Sequence, residues 1–124
     1  MVELPGGSTP ARDRCGVCGR SVSADGIREV VPDSSYLHPS DAAQDGLRPL
    51  VACDKDHFDE VAAPYRERTY VDEELWAGKV TRAVQQAWPG GVWGEELERA
   101  TGLTGQQIVS AAEWNKARTQ HLDL

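Results

Sequence analysis

The order of hydrophobic and polar residues predicts two short strands in the first half of the chain. Residues 26–31 are rich in β-branched side chains and end at Pro32, and residues 47–52 form an apolar run that leads into Cys53. Each run is bounded by turn-forming residues, so each predicts a β-strand. Residues 38–46 lie between them and contain proline, glycine and several polar side chains, which is typical of a loop.

A helical period begins at Asp54, directly after the second predicted strand. Apolar residues recur there at steps of three and four, which places them on one side of a helix. These residues are Phe58, Val61, Ala62 and Tyr65. Pro64 falls inside this segment, and because proline lacks a backbone N–H we expect it to kink the helix or end it early.

Three further helices are predicted in the second half of the chain. The first carries a long apolar stripe, begins at Asp72 as its N-cap and ends at residues 89–91. The second is short and is followed by Gly102, which is placed to adopt the left-handed conformation. Thr104 caps the third helix, and Gln107 completes a capping box with it. The inward positions of this last helix are expected to be Ile108, Ala111 and Ala112.

These elements predict a small α+β protein with three parts. Residues 1–12 are rich in proline and glycine and have no period, so we expect a flexible arm. Residues 13–68 hold all the cysteines and are expected to form a domain of one β-hairpin and one helix. Residues 69–124 are expected to form a helical domain.

Composition narrows the class of protein. The 124 residues carry 13 Lys and Arg against 20 Asp and Glu, so the net charge of −7 argues against a basic nucleic-acid coat. Only 40% of the residues are hydrophobic, which predicts a small core. The expected anchors of that core are Trp76, Trp88, Trp93 and Trp114. No segment reaches the ~20 apolar residues of a membrane span and the N-terminus lacks a secretory pattern, which predicts a cytoplasmic protein with no membrane partner. The excess of arginine over lysine fits a GC-rich bacterial genome.

Three cysteines and one histidine have a spacing that suits a metal ion. Cys15 and Cys18 form a Cys-x-x-Cys pattern, and Gly19 after them permits the tight turn that aims backbone N–H groups at thiolate sulfur. Cys53 and His57 are about one helical turn apart. Three thiolates and one imidazole complete the tetrahedron that zinc prefers, so the sequence predicts one structural Zn²⁺ held by these four side chains.

Other interpretations of these residues stay open. A single Cys-x-x-Cys pair also occurs in redox proteins, although no strand–helix unit with an apolar strand precedes Cys15. The thiols could also be free and packed as small hydrophobic groups. His38 is a second candidate for the fourth metal ligand, and its position in a loop equally fits an ordinary loop histidine.

The N-terminal half resembles the treble-clef zinc-finger superfamily over residues 13–65. In that superfamily a Cys-x-x-Cys-Gly knuckle precedes a β-hairpin, and two further ligands come from the first turn of a helix. Cys15, Cys18 and Gly19 match the knuckle, and Cys53 and His57 match the helix pair. Three residues separate this last pair, whereas two are commoner in the superfamily. The resemblance implies that the zinc ion joins the knuckle to the helix.

Treble-clef scaffolds also carry the HNH endonucleases, and the order of the Cys-x-x-Cys pair, His38 and the helix after Cys53 is similar to theirs. That resemblance implies His38 as a general base beside a catalytic divalent metal. Leu37 precedes His38 and cannot ligate a metal, and no Asn near Arg48 matches the residue that orients the catalytic histidine. A metal-dependent nuclease, or a degenerate relative of one, is therefore the alternative function.

The C-terminal half resembles a helix-turn-helix of the winged-helix type over residues 94–109, with residues 100–104 matching its turn. The resemblance implies a second helix that presents Gln106, Ser110 and Lys116 to DNA or to a protein partner. Residues 89–124 carry three Lys and Arg against five Asp and Glu, so a protein partner is favoured over phosphate.

The function that these observations favour is that of a small zinc-binding regulatory or adaptor protein, in transcription regulation or a similar role. It would act by binding a protein partner or DNA and needs no catalysis, so enzymatic activity is not the first expectation. No pattern indicates a small-molecule substrate. A Trp on the surface instead of in the core would mark the partner surface, because aromatic side chains are enriched at binding hot spots.

Overall fold

The structure is a computed structural model that describes the backbone of residues 13–122 and the side chains of residues 13–119. The arm predicted over residues 1–12 lies outside the described residues. The chain folds into two compact units, and each is described by itself below.

The first unit, which we call the hairpin unit, contains residues 13–33 and Leu47–Thr69. The second, the helical unit, contains Ser34–Gly46 and residues 70–122. Ser34–Gly46 therefore belongs with the later helices, whereas the sequence analysis placed it in the cysteine-containing domain. Local sequence patterns do not predict this division, because the contacts that hold Ser34–Gly46 join residues far apart in the chain.

Both predicted strands are present in the hairpin unit. Strand β1 spans Ile27–Pro32 and pairs antiparallel with β2, Leu47–Ala52, so that Ile27 lies opposite Ala52. The β-branched side chains of the first run suit a pleated surface, and this explains why a short hairpin forms here. An isolated bridge between Arg14 and Ser21 closes the loop that precedes β1.

Helix α1, Lys55–Glu67, packs on this hairpin through the apolar residues that the helical period predicted. Phe58 and Ala62 are buried one turn apart on the same face. Pro64 lies inside the helix, so the expectation that it would end the helix early was wrong. Only the hydrogen bond to the carbonyl of residue 60 is missing, and because the helix ends within the next turn this loss is tolerated.

The hydrophobic core of the hairpin unit lies between the hairpin, α1 and the loop before β1. Its buried members are Cys15, Val22, Val31, Leu50, Val51, Ala52, Phe58 and Ala62. Cys15 is only 3% exposed, so the first predicted metal ligand is packed against the core itself. The site and the core of this unit are therefore continuous.

The helical unit contains the three predicted helices. They are α2, Asp72–Gln86, α3, Gly94–Thr101, and α4, Gly105–Leu122. One 3₁₀ turn, Ala42–Gln44, lies within Ser34–Gly46, the earlier part of the chain that belongs to this unit. Together with the hairpin and α1, the described residues form a small α+β fold of two strands and four α-helices. Among them, no helix is long and apolar enough to cross a membrane.

The predicted caps around the turn between α3 and α4 are confirmed. Gly102 ends α3 with φ of 73°, in the left-handed region. Thr104 Oγ1 accepts a hydrogen bond from the N–H of Gln107, and Gln107 Oε1 accepts one from the N–H of Thr104. These reciprocal bonds are the capping box that the sequence predicted.

The predicted cap of α2 was wrong. Asp72 is the first residue of the helix, and Val71 occupies the N-cap position without a side-chain hydrogen bond of its own. The N–H of Val71 instead donates to Ser34 Oγ at 3.0 Å, and the same hydroxyl donates to Glu74 at 2.7 Å. A side chain 37 residues away therefore fixes this helix start, which no local sequence rule can anticipate.

The tryptophans do not form the core that the sequence analysis expected. Trp88 and Trp93 are 77% and 70% exposed, and Trp76 and Trp114 are half-buried. Trp88 and Trp93 lie on the connection between α2 and α3, where the helical period that placed Trp88 on the apolar stripe has ended. The buried side chains of the helical unit are mostly smaller, namely Ser34, Ala83, Thr101, Leu103 and Ala111.

The inward face expected for α4 is only partly correct. Ala111 is buried, as predicted, and Ile108 is half-buried. Ala112, which follows Ala111 by about 100° around the helix, is exposed.

Candidate metal centre

Four side chains of the hairpin unit converge at one point. The Sγ atoms of Cys15, Cys18 and Cys53 and a ring nitrogen of His57 all lie within 4.8 Å of one another. These are the four residues that the sequence analysis selected, so the structure brings the predicted set together. The arrangement is compatible with a metal ion.

The distances between the donor atoms fit a small tetrahedral ion. With zinc–sulfur bonds of about 2.3 Å, two thiolates on one ion are about 3.8 Å apart, and a thiolate and an imidazole nitrogen about 3.6 Å. Cys18 Sγ lies 3.8 Å from Cys53 Sγ, and Cys15 Sγ lies 3.5 Å from His57 Nδ1. Cys53 Sγ is closer to that nitrogen, at 3.0 Å. Two of these three separations therefore match a tetrahedral zinc site and the third is shorter, and the cysteines are free thiols.

The Cys-x-x-Cys segment forms a tight turn around the first sulfur. Gly19 has φ of 75°, and its N–H donates to the carbonyl of Cys15 at 2.9 Å. The N–H of Val17 points at Cys15 Sγ, 3.5 Å away. Only glycine adopts this φ without strain, which is the role predicted for Gly19. The turn thus aims backbone dipoles at a developing thiolate.

A backbone contact joins this turn to the strand that ends directly before the third cysteine. The N–H of Gly16 donates to the carbonyl of Val51 in β2 at 2.9 Å. A Cβ atom added to Gly16 would lie 2.7 Å from Cγ2 of Val61, so α1 approaches the same backbone closely. Gly16 therefore lets the turn, the strand and the helix meet beside the sulfur atoms.

Asp54 positions the second pair of donors. It is the N-cap of α1, and its side chain accepts a hydrogen bond from the N–H of His57 at 2.8 Å. Cys53 precedes the cap and His57 lies in the first turn, so the helix start sets their separation. This role of Asp54 was not predicted from the sequence, although an Asp directly before a helical period is a recognised N-cap signal.

The surroundings shift the pKa values of Cys15 and Cys53 in opposite directions. Burial opposes ionisation of Cys15, but the backbone N–H groups of Cys18 and Val17 outweigh it and lower its pKa to about 6. Burial and the two neighbouring cysteines raise the pKa of Cys53 to about 11. One thiolate therefore forms readily while its neighbour resists ionisation, and a bound cation would remove the repulsion that keeps Cys53 protonated.

His38 is not one of the four converging donors. It lies in the helical unit, where its Nδ1 accepts hydrogen bonds from the N–H groups of Ser40 and Asp41 at 3.1 and 2.9 Å. Its ring also lines a groove of about 460 Å³ beside Trp114 and Arg118. Within the described residues, the only group of three or more metal-ligating side chains is the one at Cys15, and His38 is not part of it. His57, not His38, is thus the imidazole that lies beside the cysteines.

The residues predicted to contact DNA or a partner do not form one patch. Gln106 and Ser110 are one turn apart on α4, where Gln106 is exposed and Ser110 half-buried. Lys116 lies about 120° further around the helix from Ser110 and lines a separate groove with Ile108. Glu113, between them in sequence, is exposed as well. The exposed surface of α4 therefore carries charges of both signs.

Comparison with known proteins adds no functional assignment. No family model, curated protein or solved structure matches this chain. The function therefore has to be inferred from the chemistry of the converging side chains and from the surfaces of the two units.

Proposed function

We propose that this protein binds one structural zinc ion through Cys15, Cys18, Cys53 and His57, and that it acts by binding a macromolecular partner. The observation that carries the proposal is the convergence of these four donor atoms within 4.8 Å. Three thiolates with one imidazole are a donor set that zinc favours, and the Cys18–Cys53 and Cys15–His57 separations suit its tetrahedral bonds.

A structural role is favoured over a catalytic one. Four protein ligands fill the coordination shell of zinc, whereas catalytic zinc sites keep one position open for water or substrate. Cys15 is also part of the core of the hairpin unit. The bound metal would therefore stabilise the fold, and the partner-binding function is expected to reside elsewhere on the protein surface.

The resemblance to treble-clef zinc fingers agrees with this arrangement. A tight turn carries Cys15 and Cys18, a β-hairpin follows, and the last two donors flank the start of α1. We infer that the hairpin unit is a treble-clef-like zinc module.

A protein partner is favoured over DNA for the helical unit. Its exposed Trp88 and Trp93 offer the apolar area on which protein interfaces depend. The first turn of α3 carries Glu95 and Glu96, which would repel phosphate. A fluorescein-labelled duplex DNA titrated at low salt is therefore expected to show no saturable polarisation change. Saturable binding that weakens steeply with salt would instead support the DNA-binding alternative.

Metal analysis tests the zinc proposal directly. Protein purified without chelators, then saturated with ZnSO₄ and desalted, is expected to contain about one zinc per chain by mass spectrometry. The Cys15→Ser variant is expected to lose that zinc, and Ser21→Ala, a change in the same loop, is expected to keep it. A wild-type protein that retains no zinc after this treatment would contradict the proposal.

A further inference from the structure

The connection between α2 and α3 exposes two large aromatic side chains. Trp88 and Trp93 are 77% and 70% exposed, and Val84, one turn before Trp88, is 40% exposed. A Trp can bury up to about 250 Å² and gains most of its stabilisation from that burial. Two such rings on one short surface connection are the pattern of a binding surface, not of a core.

The backbone of this connection is held in place by its own contacts. The N–H of Gly91 donates to the carbonyl of Ala87 at 3.1 Å, and Gly91 has φ of 85°. A Cβ atom added to Gly91 would lie 2.8 Å from Cζ3 of Trp93, so the indole rests against this glycine. Trp93 is also the N-cap residue of α3. The ring is thus positioned before any partner arrives, which lowers the entropy lost on binding.

The charged side chains nearest to these rings in the sequence are acidic. Residues 83–98 contain Glu95, Glu96 and Glu98, and the nearest basic residues are Arg82 and Arg99 on either side of this stretch. Glu95 and Glu96 are exposed in the first turn of α3, directly after Trp93. The last turn of α2, before Trp88, carries no basic residue. Exposed indoles and exposed carboxylates therefore lie within one stretch of nine residues, and we call these four side chains the Trp–Glu surface: Trp88, Trp93, Glu95 and Glu96.

We propose that the Trp–Glu surface binds an arginine-containing segment of a partner protein. A guanidinium group stacks on the face of an indole through a cation–π interaction and forms charged hydrogen bonds with carboxylates. A neutral apolar segment would leave the glutamates without partners, and an acidic segment would be repelled by them. This inference rests on the proposal that the protein acts by binding a macromolecule, and it names the surface and the chemistry of the partner.

The experiment uses full-length protein and a fluorescein-labelled nona-arginine peptide, followed by fluorescence polarisation. Wild-type protein is expected to bind it saturably and more tightly than a nona-lysine peptide, because lysine stacks less well on indole. Trp88→Ala/Trp93→Ala is expected to weaken binding about thirtyfold, as for truncated hot-spot residues. Glu95→Gln/Glu96→Gln is expected to weaken it about fivefold, and added salt should reduce that difference.

Two control variants separate this surface from general attraction between opposite charges. Val109→Ala removes an exposed apolar side chain of α4, 57% exposed, and Glu113→Gln removes an exposed carboxylate of the same helix. Both are expected to bind nona-arginine as the wild type does. Circular dichroism and zinc content are measured for every variant, so that a fold defect is recognised.

Several results would overturn the inference. The first is that nona-arginine does not bind saturably. The second is that the wild type and the double Trp variant bind it equally. The third is that Glu113→Gln and Glu95→Gln/Glu96→Gln lose equal affinity for it. A dimer in analytical ultracentrifugation that the double Trp variant abolishes would show that a second copy of the chain covers the surface, and would also overturn it. If the protein contains zinc but fails these binding tests, only the proposed arginine-binding surface is contradicted and the zinc proposal stands. Trp-dependent binding by a protein without zinc would overturn the zinc proposal instead.

Discussion

Arg82 holds both carboxylate oxygens of Asp45 at once, with hydrogen bonds of 2.9 and 2.7 Å. The side chain of Asp45 is 1% exposed and that of Arg82 is 24% exposed. Asp45 lies in the segment before β2 and Arg82 lies in α2, so this pair ties Ser34–Gly46 to the helical unit across 37 residues. The backbone N–H of His38 donates to the same carboxylate at 2.9 Å.

Replacing Arg82 with Met should destabilise the helical unit. The variant leaves a buried carboxylate without its cation, a change that costs about 3–5 kcal/mol for buried pairs. Because Arg82 keeps partial contact with water, we expect the lower value, about 3 kcal/mol. Urea unfolding followed by Trp fluorescence measures this, since all four Trp lie in the helical unit. Lys116→Met, at an exposed cation of α4, is the matched control and should change little; an equal loss in both variants would contradict the assigned role.

The same pair predicts a loss of stability in acid. Burial alone would raise the pKa of Asp45, but the hydrogen bonds from Arg82 and from the His38 N–H lower it below the ordinary value of 3.8. The folded state therefore binds this proton more weakly than the unfolded chain, whose Asp pKa is about 3.9. The stabilisation is complete above that value and is lost as the pH falls through the lower folded-state pKa.

Asp45→Asn removes this titration and provides the comparison. The difference in unfolding free energy between the wild type and the variant, measured by Trp fluorescence, should be constant from about pH 6 to about pH 5 and shrink below about pH 4. Taking the difference between the two unfolding free energies cancels the effects of other titrating groups that both proteins share. A difference that stays constant down to about pH 2.5 would show that the Asp45 carboxyl is not held by Arg82.

Local patterns predicted much of the fold, and long-range contacts explain the rest. The strands, the capping box at Thr104 and the left-handed Gly102 depend on neighbouring residues, so the sequence contains their signals. The cap supplied by Ser34 to Val71 and the pair of Asp45 with Arg82 join distant residues, and no periodicity reveals them. These contacts place Ser34–Gly46 in the helical unit.

The candidate site was predictable because its chemistry is carried by few residue types. Cysteines at metal-ligand spacing are rare, so Cys15, Cys18 and Cys53 were identified from sequence alone. His57 was predicted as the fourth ligand because a helix start fixes it beside Cys53, and the structure places its imidazole there while His38 lies in the helical unit. Trp88 and Trp93 were predicted to lie in the core, but both are exposed. A helical period predicts the direction of a side chain only within the helix, and α2 ends at Gln86, before either tryptophan.

Two glycines at the turn between α3 and α4 should respond in opposite ways to alanine. Gly102 has φ of 73° and open space at its missing Cβ, so Gly102→Ala measures backbone strain alone and should cost about 1–2 kcal/mol. Gly105 is the first residue of α4, and a Cβ there meets only Glu98 Oε2 at 3.5 Å. Gly105→Ala should therefore stabilise by about 0.4–1 kcal/mol. Urea unfolding by circular dichroism checks both; equal signs would contradict the assigned backbone conformations.

Removing the proposed zinc ion should loosen the hairpin unit. Structural zinc sites contribute about 10–16 kcal/mol of binding free energy, which the folded unit loses when the ion is removed. Amide hydrogen exchange with and without EDTA should show faster exchange in β1, β2 and α1. The helices α2, α3 and α4 are the internal reference within the same sample. Unchanged protection of β1, β2 and α1, with zinc verified absent, would show that the metal does not stabilise this unit.

The two histidines provide the sharpest test of the fourth ligand. Nδ1 of His57 lies 3.5 and 3.0 Å from the sulfurs of Cys15 and Cys53, whereas Nδ1 of His38 accepts backbone hydrogen bonds in its own loop. If the four ligands contribute equally to a zinc-binding free energy of about 12 kcal/mol, removing one ligand weakens binding by about 3 kcal/mol, or about a hundredfold in affinity. Competition against a zinc-binding dye should therefore give a loss of that size for His57→Ala and no change for His38→Ala. The reverse pattern would make His38 the ligand. Cobalt substitution adds an independent readout, because the absorption bands of a tetrahedral Co²⁺ site report its ligand set, and only His57→Ala should alter them.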